Sequence, residues 1–252
     1  EVKRLTRHPR FTGVIHDVGG PTANMYGFEC SRKMQVGACT DKRCLYPHCC
    51  SALKPSHQAQ TRLLTALRCL PGIKHVFVAS GIRPDLVAHD QTYGDAYMEE
   101  LVGYHVSGQL KLAPEHTVPR VLRAMGKPDV QALLQFKEQF ESINRKHALR
   151  QFLTYYFIAA HPGCALDDMQ ALRQFVHVRL KLTPEQVQIF TPTPSTWSTA
   201  MYYTGLDPAT GKSIHVVKTY RERTEQKECL TESMHAQHEM RRPHQARKRP
   251  SS

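Results

Sequence analysis

No stretch of the 252 residues approaches the roughly 18 consecutive apolar positions that a membrane helix needs. A helical membrane span is therefore not expected. The first eleven residues, EVKRLTRHPRF, lack the apolar core and small-residue cleavage site of a secretory leader, and they lack an initiator methionine. The expectation is a cytoplasmic protein whose chain starts inside a longer one. Acids are missing from the last twelve residues, RRPHQARKRPSS, which hold five Arg or Lys. Much of the excess behind the net charge of +12 and the pI near 9.4 thus sits in a tail. Such a tail is expected to be a solvated end, with nucleic acid as a candidate partner through phosphate contacts. A disulfide framework is also missing. Of the eight cysteines, Cys30, Cys39, Cys44, Cys49 and Cys50 crowd one stretch, while Cys69, Cys164 and Cys229 lie apart. In a cytosolic chain that crowding points to metal binding.

What is present is an ordinary globular composition, 40% hydrophobic and 22% charged, over a length that fills one large domain or two small ones. Short apolar runs at 13–18, 75–80, 109–114, 152–160 and 187–192 have strand character. Segments near 57–70, 93–105, 130–148 and 166–180 have helical period. Strand and helix alternate, and right-handed crossovers then give a parallel sheet covered on both faces, an α/β fold with strands in sequential order. From about Asp207 onward the apolar pattern fades, apart from a short helix near 225–240. The expected division is therefore 1–206 as the folded body and 207–252 as a basic, partly disordered tail.

The strand ends share a composition. Gly19, Gly20 and Pro21 follow the first, and Ser80, Gly81 and Arg83 the second. Glu115 and His116 follow the third, His161, Pro162 and Gly163 the fourth, and Thr191 to Pro194 the fifth. Backbone-exposing and polar residues therefore collect at the carboxyl edge of a parallel sheet, where α/β folds bind ligands. Simple turn-making by Gly and Pro accounts for any single one of these loops.

The cysteine run C-x8-C-x4-C-x5-C, from Cys30 through Cys39 and Cys44 to Cys50, puts four thiols on one long loop, the number that a zinc ion or an iron-sulfur cluster requires. The spacing is not that of a zinc ribbon. Neighbouring side chains seldom point at one metal, so one of Cys49 and Cys50 is spare. Four reduced thiols without metal are the plain alternative.

In order along the chain, FTGVIHDVGGPTANMYGFEC, CLYPHCC, VASGIRPD, LKLAPEHT, FIAAHPG and VQIFTPTPSTWSTAMYYTG occur between about residues 10 and 206. This series resembles the YgiQ family of radical SAM proteins. The resemblance implies a partial (β/α) barrel that holds a 4Fe-4S cluster and S-adenosylmethionine at its strand ends, where reductive cleavage yields a 5′-deoxyadenosyl radical. The substrate is unassigned. It further implies that the backbone of Gly19 and Gly20 receives the methionyl amino group. Ser80 and Arg83 would meet the ribose or carboxylate, with Arg suited to bidentate contact, and His161 and Gly163 would line the adenine.

The chain also departs from the family. The commoner glycine motif has an acid where Pro21 stands, and CxxxCxxC, which holds the catalytic cluster, is missing from all 252 residues. The expectation is a fragment without the first strand and its cysteines, catalytically incompetent as it stands. Cys30, Cys39, Cys44 and Cys50 would then hold at most an auxiliary iron-sulfur cluster or zinc. Residues 211–252 do not match the family's further C-terminal region. Two other readings stay open: a non-enzymatic protein that binds zinc through the four thiols and nucleic acid through its tail, and a hydrolytic barrel using Glu115 with His116 or His161 as acid and base.

Overall fold

Every strand pairing among the described residues is parallel and follows chain order. The computed structural model describes residues 1–20, 22–40, 44–184 and 186–231. Two short helices, α1 (Val2–Leu5) and α2 (Ser31–Val36), lie on either side of β1 (Val14–Ile15), and α3 (Gln58–Arg68) leads to β2 (His75–Val76). Val14 pairs with His75 and Ile15 with Val76. Then come α4 (Pro84–His89), α5 (Gly94–Tyr104) and β3 (Gln109–Glu115), followed by α6 (Pro119–Met125), α7 (Gln131–Lys146) and β4 (Phe152–Ala159). The chain continues through α8 (Leu166–Phe175), which runs on as a π-helical turn over Val176–Leu180. It ends in β5 (Gln186–Ile189), α9 (Trp197–Thr204) and α10 (Tyr220–Thr231). The result is mixed α/β with parallel strands and helical crossovers, the pattern expected of a partial (β/α) barrel.

The expected single five-stranded sheet is instead a pair and a triplet, β1-β2 and β3-β4-β5, joined by one parallel bridge between Ile82 and Leu112. The break has a local cause. The carboxylate of Asp17 accepts the N–H groups of Ala79 and Ser80 at 2.9 and 3.2 Å, so these residues have no donors left for a neighbouring strand. The run expected as strand over 75–80 therefore turns away after Phe77, whose carbonyl accepts from Val18 N at 2.8 Å.

The helices form where the apolar period says they should. In α7, Leu133, Phe136, Phe140 and Ile143 recur three or four residues apart and are buried, facing α4 and α5. Burying each phenylalanine contributes roughly 1.5–3 kcal/mol. Pro84 and Pro119 open α4 and α6 at positions where a missing N–H costs no helical bond. The core runs from Tyr97, Met98 and Leu101 of α5 through Leu110, Leu112 and Phe157 of the triplet to Met169 and Leu172 of α8, all fully buried.

In the C-terminal region, α10 overlaps the short helix expected near 225–240; it packs on α8, β4 and β5 and buries Gln226, Cys229 and Leu230. Its fully buried residues are one glutamine, one cysteine and one leucine, so the packed face leaves little mark in a hydropathy reading. The remaining basic residues, 232–252, lie outside the described residues. No helix among the described residues is long and apolar enough to cross a membrane.

Candidate functional site

At the carboxyl end of β1 the two glycines do different work. A Cβ on Gly19 would lie 2.6 Å from Ser80 Oγ and Cβ and 2.7 Å from Asp17 Oδ1, so this position is glycine because the Ser80 turn closes over it. A Cβ on Gly20 would meet nothing within 4 Å. Ser80, expected to present its hydroxyl to a ligand, gives it to Asp17 Oδ2. Burial pushes the Asp17 carboxyl up, yet the Ser80 hydroxyl and the Ala79 and Ser80 amides together hold it below its ordinary value.

Arg83 is likewise committed. Its Nε donates to Asp85 Oδ1 at 3.0 Å and its Nη2 to Asp85 Oδ2. The guanidinium expected to hold a ligand carboxylate therefore grips one from the protein. The backbone of Arg83 is fixed too. Its N–H donates to Asn24 Oδ1, and Asn24 Nδ2 donates to its carbonyl, both at 2.9 Å. The second Asn24 amide proton reaches His57 Nε2 at 3.2 Å, and His57 Nδ1 lies 2.9 Å from Asp90 Oδ2. One tautomer satisfies the whole chain, with Nδ1–H donating to Asp90 and Nε2 accepting from Asn24. Burial holds His57 below its ordinary pKa despite Asp90, as a neutral ring requires. Sequence reading missed this set: Asn24 stands inside GGPTANMY, but its partners are 33 and 59 residues away.

At the ends of β3 and β4, Glu115 adopts a left-handed φ of 64° where the register shifts, and it pairs with Lys127 Nζ at 2.8 Å. Burial pushes the Lys127 ammonium below its ordinary value, against the pull of Glu115. His161 donates from Nδ1 to the Pro162 carbonyl at 2.7 Å, which leaves Nε2 to accept from Ser198 Oγ at 2.8 Å. Burial lowers its pKa to about 4. Gly163, expected beside an adenine, instead packs the 214–215 segment. At φ 89° its N–H donates to His215 O at 2.7 Å, and a Cβ would sit 3.1 Å from Ile214 Cδ1.

Nothing among the described residues joins Glu115 and His116 as an acid–base pair. His116 is buried, accepts from Val118 N at 3.1 Å, and turns Nε2 toward Cys164 Sγ at 3.6 Å. Burial lowers the His116 pKa to about 4 and raises the Cys164 thiol to about 12, so this pair holds neither a ready base nor a thiolate.

Two cavities lie at this edge of the sheet. The one between Arg83, His116 and Lys127 measures ≈ 50 Å³, room for water and not for a nucleoside. The other, ≈ 800 Å³, opens between the cysteine loop, α6 and the start of α9. Cys39, Cys50, His48, Arg120, Arg123 and Trp197 are among its walls, and its size is that of a small-molecule site.

Cys30 is buried, Cys39 and Cys50 are half-buried, and Cys44 is exposed. Burial raises the Cys44 thiol first, followed by the neighbouring thiols of Cys30, Cys50 and Cys39. The four are thus near one another, but no set of three or more Cys, His, Asp or Glu among the described residues stands at metal-ligand geometry. Cys49 also has Cys50 and Cys44 as thiol neighbours, and its sulfur lies 3.9 and 3.8 Å from the carbonyls of Cys50 and Leu53.

Residues 185–241 match a family model described as a domain of unknown function, DUF3362. Over 232 residues, 92% of this chain, the sequence is 50% identical to a UPF0313 protein of Fusobacterium nucleatum, covering 41% of that protein. A UPF0313 protein of Methanosarcina mazei is 47% identical over 91% of this chain and 36% of its own length. One from Thermotoga maritima is 47% identical over 90% and 40%. The chain is thus similar over about nine tenths of its length to proteins named UPF0313, and it spans about two fifths or less of theirs.

Proposed function

We propose that this chain is part of a radical SAM enzyme of the kind the YgiQ resemblance implies, and that its strand ends receive S-adenosylmethionine. The observation that carries the reading is the open backbone of Gly20. It stands at the carboxyl end of β1, unobstructed within 4 Å of where a side chain would begin. Among the described residues no hydrogen bond occupies the Gly19 or Gly20 backbone. A methionyl amino group is a compact donor of three protons, and exposed carbonyls on a loop without side chains suit it.

The residues present fit the amino-acid end of the cosubstrate better than they fit a cluster. CxxxCxxC does not occur in the chain, and the cysteine loop has no formed ligand set. No step is therefore routed through the cysteines of this chain. When bound, S-adenosylmethionine supplies hydrogen-abstraction chemistry. The residues on this chain supply position. Asp17 fixes the Ser80 turn beside Gly19, Asn24 fixes the Arg83 backbone, and neutral His161 is held by Pro162 and Ser198. Arg83, held by Asp85, shapes the site without offering its charge to the ligand.

The test has two parts. Equilibrium dialysis of the 252-residue chain against labelled S-adenosylmethionine should show binding that Gly20→Val weakens at least about tenfold, because a branched side chain fills the approach. The full-length UPF0313 protein of Fusobacterium nucleatum, reconstituted anaerobically with iron and sulfide and then reduced, should release 5′-deoxyadenosine. A fully iron-loaded protein that releases none, with no binding by the chain, would sink the reading.

A further inference from the structure

The ≈ 800 Å³ cavity abuts the end of β4. Two of its lining residues, Ala124 and Ile214, pack so closely on Gly163 that a Cβ there would lie 3.2 Å from Ala124 Cβ and 3.1 Å from Ile214 Cδ1. Its cationic wall comes from α6. Arg120 and Arg123 both line the cavity, and a spacing of three residues makes them neighbours on one helix face. Arg120 is anchored from behind. Its Nε donates to Asp168 Oδ1 at 2.5 Å, and Asp168 is buried with its other oxygen accepting from Ala165 N at 2.8 Å. Among the described residues neither Nη nitrogen of Arg120 makes a hydrogen bond, and Arg123 has no hydrogen bond or ion pair. Asp207, the carboxylate that lines the same cavity, is engaged by its own turn, accepting from Ala209 N and Thr210 Oγ1, both at 2.9 Å.

We propose that this cavity binds an organic phosphate monoester, with Arg123 and the Nη edge of Arg120 holding the phosphoryl group. A guanidinium carries N–H donors and no acceptor, and Arg120 commits only its Nε–H to Asp168, so the wall presents a surplus of donors and positive charge. An anion satisfies both. A phosphoryl group offers three terminal oxygens and nearly two negative charges at neutral pH, against two oxygens and one charge for a carboxylate, so it meets more of these donors. The cavity is far larger than phosphate itself, and a volume of ≈ 800 Å³ leaves room for an organic group attached to it. Anchoring by Asp168 orders the Arg120 fork before the ligand arrives, which lowers the entropic cost of binding. The site needs neither a cluster nor S-adenosylmethionine, so it stands apart from the proposed radical chemistry.

Trp197, the single tryptophan of the chain, lines this cavity, and its fluorescence is the readout. Titrating the 252-residue chain with phenyl phosphate at neutral pH and low salt should give a saturable change with a Kd of about 1 mM or tighter. Arg123→Ala should weaken it at least about tenfold. Arg120→Lys keeps a cation for Asp168 but loses the Nη edge, and should weaken it about threefold or more. Arg62→Ala removes the same charge from an exposed position on α3, outside the cavity, and should bind as wild type does. Benzoate, the same ring with a carboxylate, should bind at least about tenfold more weakly than phenyl phosphate. Arg123 is exposed, so circular dichroism of Arg123→Ala should match wild type and separate lost binding from lost folding. The site is overturned if wild type gives no saturable response, if Arg123→Ala binds as tightly as wild type, or if Arg62→Ala loses as much as Arg123→Ala. Equal affinity for benzoate overturns the assignment to a phosphate.

Discussion

Asn24 holds both backbone polar groups of Arg83, 59 residues later in the chain, through two 2.9 Å hydrogen bonds made by one buried side-chain amide. Its remaining proton goes to His57, which Asp90 orients. The β1 and β2 loops are thus tied to each other by Asn24 as well as by Asp17 on the Ala79–Ser80 turn and Ala23 N on Gly81 O.

Replacing Asn24 by Ala leaves the Arg83 N–H and carbonyl and the His57 acceptor unpaired in an enclosed space. With each unmet group costing about 1–3 kcal/mol, the expected loss is roughly 3–5 kcal/mol after partial relaxation. Urea unfolding measures it. A double-mutant cycle with His57→Ala should give a coupling of about 1 kcal/mol or more, and additivity within error would contradict the shared network.

Gly19→Ala and Gly20→Ala should separate cleanly. The first pushes a methyl into Ser80 and Asp17 and should cost about 1–3 kcal/mol. The second enters open space and should lie within about 0.5 kcal/mol of wild type. Thermal unfolding of both variants decides it, and equal losses would contradict the geometry.

His116 and His161 both have folded pKa values of about 4. The unfolded chain takes up these protons near pH 6.5, while the folded chain does not. Stability from the neutral rings is complete above pH 6.5 and is lost as pH falls toward 4. The slope is about 1.4 kcal/mol per pH unit for each histidine. Unfolding free energies should fall by about one proton's worth between pH 7 and 6 and by close to two between pH 6 and 5. His161→Asn should remove one proton from that slope, whereas a flat profile would show the rings to be charged in the fold.

Gln226→Ala should destabilise by about 2–4 kcal/mol although it lies on a helix of polar composition. Gln226 Oε1 accepts from Ala160 N at 2.8 Å, and its Nε2 donates to Cys164 O at 3.1 Å. A loss under about 0.5 kcal/mol, read by urea unfolding, would mean that α10 is only loosely seated.

The alternation of strands and helices was legible because β3, β4, α5, α7 and α8 carry long runs at one period, and tertiary pairing then followed chain order. The break in the sheet was not legible, since it depends on which donors the Asp17 carboxylate captures 62 and 63 residues away. Polar residues at the strand ends were visible, but not their partners. Ser80, Arg83 and His161 all show chemistry suited to a ligand, and each is engaged by a protein group that spacing cannot reveal. The cysteines were visible as a group, and the contacts of Cys49 with the carbonyls of Cys50 and Leu53 needed coordinates. A short helix was expected near 225–240, but the packing of α10 was not legible because its fully buried residues are only Gln226, Cys229 and Leu230.

Gln226 also imposes an order in time. The loop from Ala160 to Cys164 emerges 66 and 62 residues before the side chain that satisfies it. At about 5–20 residues per second of synthesis, that interval lasts roughly 3–13 seconds. Throughout it the Ala160 N–H and the Cys164 carbonyl lack the side-chain partner that each has in the finished protein. The candidate face is therefore completed late, when a polar helix from the far end of the chain closes over it.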